Sequence, residues 1–162
     1  MRFGQHTILT RRYALRGSSP RAIVQGGFLC AHIIGFSSPQ NGDKCGSISV
    51  KLNVKIIQRH LNKFSKRLPK NVHAVVILDN AGYHKSPKIV WPNNVTPWFL
   101  PPYSPELNPA ERPWHHIRSR SLAGVLYKNI QEIKRKGYAA WMKLTPEILK
   151  SLTRTPLVRM FD

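Results

Sequence analysis

Acidic residues are scarce in this chain: 7 Asp and Glu stand against 26 Lys and Arg in 162 residues, a formal charge of +19 and a sequence pI near 10.8. The shortage leaves few candidates for carboxylate chemistry. The unbalanced cations call for a polyanion, because Lys and Arg displace condensed counterions from phosphates. DNA or RNA is the expected partner, and charge alone fits a basic ribosome-associated protein as well. Cysteine is nearly absent too. Cys30 and Cys45 form neither a CxxC pair nor a His/Cys cluster of zinc spacing, so both read as reduced thiols and no disulfide framework is implied. No apolar run approaches the roughly 20 residues of a membrane span, and the N-terminal stretch lacks the apolar core of a secretory signal. The expectation is a soluble, intracellular protein, cytoplasmic or nucleoid-associated, with no membrane partner. Internal repeats and low-complexity tracts are also missing.

What is present suffices for one modest globular domain, 41% hydrophobic, with a real core. Residues 73–114 organise it. Ala74-Val75-Val76-Ile77-Leu78 is apolar without alternation, which predicts a short strand buried on both faces of a mainly parallel sheet. Asp79-Asn80-Ala81-Gly82-Tyr83-His84 ends the run. In open α/β sheets the carboxyl ends of strands rim the binding crevice, so Asp79 stands where ligands usually sit. A second acid follows in Leu107-Asn108-Pro109-Ala110-Glu111-Arg112-Pro113-Trp114. Asn108 can cap a helix, Pro109 fits its first turn, and Ala110, Trp114 and Ile117 share a face, which predicts a helix over residues 109–122. Asp79 and Glu111 can then meet across the rim.

Elsewhere the pattern is regular. Residues 21–36, with Ile23, Val24, Phe28, Leu29, Ile33 and Ile34 around Gly26-Gly27, read as an extended or bulged strand, and the turn cluster of residues 37–44 returns the chain through 47–52 as a hairpin. From Asn53 onward, Val54, Ile57, Leu61 and Phe64 recur at helical spacing, with Lys55, Arg59, Lys63 and Lys66 on the other side. That basic stripe is a candidate to lie along DNA, although exposed Lys and Arg more often form only a solvated face. Residues 85–90 read as a short helix or turn. Residues 95–100 read as a strand near an edge, since Pro97 cannot donate to a central ladder. Pro101-Pro102-Tyr103-Ser104-Pro105 makes a stiff connector. Beyond it lies an amphipathic stretch with Ile130, Ile133, Ala140 and Trp141 inward and Lys128, Lys134, Arg135 and Lys136 outward, and Thr145-Pro146-Glu147 signals a last short helix.

Ile77-Leu78-Asp79-Asn80-Ala81-Gly82-Tyr83-His84, followed by Leu100-Pro101-Pro102-Tyr103-Ser104-Pro105-Glu106-Leu107-Asn108-Pro109-Ala110-Glu111, resembles the second half of the catalytic domain of mariner-like insertion-sequence transposases, of the Asp-Asp-Glu superfamily. A lone Leu-Asp-Asn would be a weak sign; the long double motif, in order and at a plausible separation, is specific. The resemblance implies an α/β, RNase H-like fold, a mixed sheet flanked by helices, with a partial catalytic domain over residues 1–122 and a basic helical tail of the same domain over 123–162. It implies metal-dependent DNA cleavage and strand transfer with two Mg²⁺ ions, which favour hard oxygen ligands, and water or a DNA 3′-hydroxyl as nucleophile. Asp79 and Glu111 match the second Asp and the Glu, in catalytic and metal-holding roles, and Asn80 and His84 match motif positions near the site. DNA, as transposon ends and target, is the implied partner.

Plainer roles compete with these. Asp79 can cap the turn after its strand, and Glu111, three residues after Asn108, can close a capping box onto the Asn108 backbone N–H. The joint motif outweighs both. A lone His84 is more often structural, and Asn108 is read as a cap. Glu106 and Asp43 are weak candidates, one in the Pro-rich connector and one in a Gly-containing turn. His115-His116 cannot share one metal position, because neighbouring helical residues diverge.

Met1-Arg2-Phe3-Gly4 resembles the residues that in the family follow the strand carrying the first catalytic Asp, and Arg11-Arg12-Tyr13-Ala14-Leu15-Arg16-Gly17 resembles the basic aromatic segment before the second strand. The first Asp, its central strand and the N-terminal helix-turn-helix are therefore expected to be missing, and the isolated chain is expected to be inactive. The alternatives are a non-catalytic basic DNA-binding protein, or one half of a split or frameshifted transposase. An upstream transposase half or a second copy of the chain is the partner such a deficit implies.

Overall fold

The computed structural model describes residues 1–9 and 13–159. Arg11 and Arg12 of the basic aromatic segment lie outside the described residues. Strands β1 (Arg2–Gly4), β2 (Cys30–Ser37) and β3 (Lys44–Ser49) form an antiparallel sheet in that order. Arg2–Gly4, read from sequence as following a strand, is itself one. It pairs with Cys30–His32, and Met1 extends the pairing, its ammonium donating to the Ile33 carbonyl and its carbonyl accepting from the Ile33 N–H, both at 2.8 Å.

The strand expected over residues 21–36 begins only at Cys30. Ile23, Val24 and Phe28 are exposed, so this stretch has no surface on which to bury a strand face. Gln25 ties it down instead, its side chain donating to the Tyr127 carbonyl and accepting from the Tyr127 N–H, both at 2.8 Å.

Helix α1 (Val54–Arg67) starts where the sequence places it, with the Asn53 side chain accepting from the Ile56 N–H and Lys66 and Arg67 in the last turn, where cations complement the helix dipole. Its apolar face packs on one side of β2, Phe36 stacking on the rings of His60 and Phe64 at 5.2 and 4.3 Å. The other side of β2 meets α2 (Glu111–Ser121), α3 (Ile130–Met142) and α4 (Pro146–Thr153), with α5 (Pro156–Arg159) beyond. Ala31, Ile33, Ile117, Ile133, Ala140, Trp141 and Leu149 share this main core. The C-terminal helices thus build the centre of the domain.

Gly35 and Gly46 lie opposite each other in β2 and β3, and the Trp141 ring lies over both. A Cβ at either glycine would meet that ring at 2.5 or 2.6 Å, so two residues without side chains form the floor for one large one. Lys44 closes the far end of α3, its Nζ donating to the carbonyls of Trp141, Met142 and Leu144.

Strands β4 (Ala74–Leu78) and β5 (Val95–Phe99) form a separate parallel pair. Pro97 sits opposite Val76 on a strand with one neighbour among the described residues, the edge setting expected of it. Val76 is buried against α1 with Leu61, but Val75 is 58% exposed. The expectation of a strand buried on both faces therefore fails, since α1 covers one face only. Residues 85–90 are turns and bends, without a helix.

Candidate functional site

Asp79 directly follows β4. Its Oδ1 accepts from the Ala81 N–H at 3.1 Å and from His84 Nδ1 at 2.8 Å, so the turn-capping role is real. The other oxygen, Oδ2, has no hydrogen-bond partner among the described residues, and the side chain is half-exposed at 51%. Tyr83 stands edge-on to His84 at 4.5 Å. Its hydroxyl pKa is raised, by burial first and by the Asp79 charge second.

Asn80 supplies the anchor. Its Nδ2 donates to the Leu100 carbonyl at 2.6 Å, beside the Leu100 N–H bond to the Leu78 carbonyl at 2.9 Å. The ends of β4 and β5 are thereby clamped, and with them the start of the Asp79 turn. Asn80 Oδ1 is buried without a partner.

Glu111 opens α2. The helix starts two residues later than the sequence predicts, with Ala110 at its cap position, because Asn108 Oδ1 accepts from the Ala110 N–H at 3.0 Å in a tight turn of its own. The Asn108 backbone N–H donates to the Pro105 carbonyl at 3.1 Å. That bond uses the donor a capping box would give to Glu111. The Glu111 carboxylate is exposed and has no such structural duty.

One cleft of about 1170 Å³ is lined by Asp79, His84, Tyr83, Glu111, Trp114 and Arg118, together with residues of β2, β3, α1 and β4. The Met1 ammonium reports the convergence electrically. Burial, then Arg118, pushes its pKa down to about 6, while Glu111 and Asp79 both pull it up. Both acids therefore act on one half-buried amine beside β1. Asp43 also lines the cleft, but its carboxylate accepts from Asn41 within the hairpin turn at 2.9 Å.

The remaining candidates lie apart. Lys55, Arg59, Lys63 and Lys66 are all on the exposed face of α1. Glu106 sits in a single 3₁₀ turn, Pro105–Leu107, and does not line the cleft. Arg118 and Trp114 were not singled out for function in the sequence, although both share the Glu111 side of α2 by helical spacing. Trp114 also stacks on Trp141 at 5.6 Å, joining the cleft wall to the core. His60 was missed as well: it is 4% exposed, bonds Ser47 through Nδ1 at 3.2 Å, and burial pushes its pKa down to about 4. Only its position on the inner face of α1 hinted at burial.

Among the described residues no group of three or more His, Cys, Asp and Glu could hold a metal ion. The cleft offers two anionic oxygen donors on separate elements, a donor type that suits a hard divalent cation. Among the described residues, no helix is long and apolar enough to cross a membrane.

The model of the family described as DDE superfamily endonuclease matches residues 1–134. The chain is 37% identical over 123 residues to "Uncharacterized protein y4pE/y4sA" of Sinorhizobium fredii, covering 76% of this chain and 91% of that one. Its fold is similar to that of a protein in the crystal structure of the Mos1 strand transfer complex, with a TM-score of 0.68 and 12% sequence identity. The match takes in 98% of this chain and 50% of the other, so this chain spans about half that length. The likeness bears out the α/β, RNase H-like class expected from the motifs.

Proposed function

Because the chain belongs to the DDE superfamily endonuclease family, we propose that it supplies two carboxylates, Asp79 and Glu111, to a transposase-type site that cleaves and joins DNA phosphodiesters. The observation that carries this reading is their placement on one cleft, from the end of β4 and the start of α2. Glu111 is released from the capping box, and Asp79 keeps one oxygen without a partner. The two would hold a divalent cation, which we take to be Mg²⁺ and which supplies an activated oxygen nucleophile and charge neutralisation when bound.

The chain's own groups do the positioning. Asn80 fixes the β4–β5 end through the Leu100 carbonyl. His84 fixes Asp79 Oδ1 and leaves Oδ2 available. Arg118, lining the same cleft, presents a guanidinium fork that suits a phosphate oxygen pair. The excess of cations over acids draws the polyanionic substrate in.

The test maps the metal without requiring turnover. Fe²⁺ replaces the cation, and ascorbate with peroxide then generates radicals that cut the polypeptide next to the bound ion. Cuts clustered near residues 79 and 111, lost in Asp79→Asn and Glu111→Gln, support the site. Cuts elsewhere, or a pattern that both variants leave unchanged, overturn it.

A further inference from the structure

A second concavity lies beside α2, α4 and α5. It is lined by Arg112, Lys150, Ser151, Arg154 and Arg159, all exposed. None of these four cations forms an ion pair among the described residues, where the salt bridges are His84–Asp79 and Lys136–Glu132. Lys150 lies in α4 and Arg154 is its C-cap, its N–H donating to the Lys150 carbonyl, so the two cations stand four residues apart at one helix end, an arrangement that is repulsive by itself. Glu147 lies on the first turn of α4 and is engaged with the Thr145 cap.

The cluster is built rather than scattered. Thr153 and Thr155 are each 1% exposed; Thr153 Oγ1 donates to the Leu149 carbonyl at 2.7 Å, and Thr155 Oγ1 accepts from the Val158 N–H at 3.4 Å. These buried hydroxyls fix the turn from α4 into α5 and so bring Arg159 beside Lys150 and Arg154. Arg112 arrives from α2, next in sequence to Glu111.

We infer that this pocket grips the sugar-phosphate backbone of DNA, one phosphate being held by the guanidinium groups of Arg112, Arg154 and Arg159, the Lys150 ammonium and the Ser151 hydroxyl. Forked Arg donors match phosphate oxygens, and a hydroxyl adds a neutral donor. Glu111, Pro113, Trp114 and Arg118 face the cleft while Arg112 faces the pocket. Val158 of α5, next to Arg159, also lines the cleft, so the phosphate grip borders the carboxylate site. A duplex held here presents a neighbouring phosphate to the cleft. The inference rests on DNA being the substrate, and it assigns the grip to α2, α4 and α5 in place of the α1 stripe.

The experiment uses the full chain with chelator present, so that metal chemistry plays no part. Binding of a fluorescein-labelled duplex is followed by anisotropy over a range of salt concentrations. Lys150→Gln combined with Arg154→Gln is compared with Lys134→Gln combined with Arg135→Gln, an equal charge loss on the exposed side of α3. The pocket variant should bind at least tenfold more weakly at fixed salt, and the slope of log K against log salt should fall by about 0.9, the contribution of the one phosphate no longer neutralised. The α3 variant should keep the wild-type slope, and Lys150→Arg combined with Arg154→Lys should restore binding. Equal losses in both double variants, or none in the pocket variant, overturn the pocket. Iron-directed cuts at residues 79 and 111 alongside such a result would leave the carboxylate site standing. Absence of any DNA binding by the wild-type chain at low salt overturns both the pocket and the substrate class.

Discussion

Protonation of His60 should unfasten α1 from the sheet. The imidazole is buried between Phe36 and the Ser47 hydroxyl, and burial, followed by the charge of Lys63, lowers its pKa from 6.5 to about 4. Between those values the unfolded chain binds a proton that the folded chain refuses. Stability from this group is therefore complete above about pH 6.5 and is lost as pH falls toward about 4. At 1.36 kcal/mol per pH unit, the lowered pKa corresponds to about 3 kcal/mol, a large share of a domain's usual 5–15 kcal/mol. Urea unfolding near pH 7 and near pH 4, for the wild type and for His60→Met, isolates the effect from the other titrating groups. The variant leaves Ser47 without its partner and starts about 1–3 kcal/mol less stable, but that offset does not vary with pH. The wild type should lose about 3 kcal/mol more than His60→Met over the interval. Parallel losses in the two proteins would refute the reasoning.

Other perturbations follow from the same geometry. Gly46→Ala places a methyl group against the Trp141 ring and should cost about 1–3 kcal/mol by chemical denaturation; an unchanged midpoint would show that the indole has room to move. Lys44→Met removes a cation from three carbonyls at the end of α3 and should cost about 1.5–3 kcal/mol, seen as a lower Tm. Asn80→Ala cuts the tie to Leu100 and should cost about 1 kcal/mol of stability while weakening Mn²⁺ binding about tenfold or more. A stability loss with unchanged Mn²⁺ affinity would make Asn80 a fold residue only.

Local patterns were legible in the sequence. Val54, Ile57, Leu61 and Phe64 pack toward the core as their spacing requires, and Asn53 and Thr145 cap the helices they were expected to start. Asp79 at the end of a buried-type strand, and Glu111 at the start of a helix, were readable from the motif and from strand and cap chemistry. Features set by distant partners were not. Nothing local distinguishes Gly35 and Gly46 as the floor beneath Trp141, and Ile23, Val24 and Phe28 have strand-like chemistry but no layer to bury it. Asn108 capping its own turn, its Oδ1 accepting from the Ala110 N–H rather than from the helix, shifts the start of α2 by two residues. The basic pocket draws its members from three helices, so no window of sequence contains it.

The central claim is that Asp79 and Glu111 act on one metal ion. Calorimetric titration of Mn²⁺ into the wild type, Asp79→Asn, Glu111→Gln and the double variant tests it most directly. If both carboxylates hold the same ion, each single change weakens binding at least tenfold, and the double change costs less than the two losses added, with a coupling of about 1 kcal/mol or more. Single variants that bind as tightly as the wild type, or losses that simply add, would contradict the account.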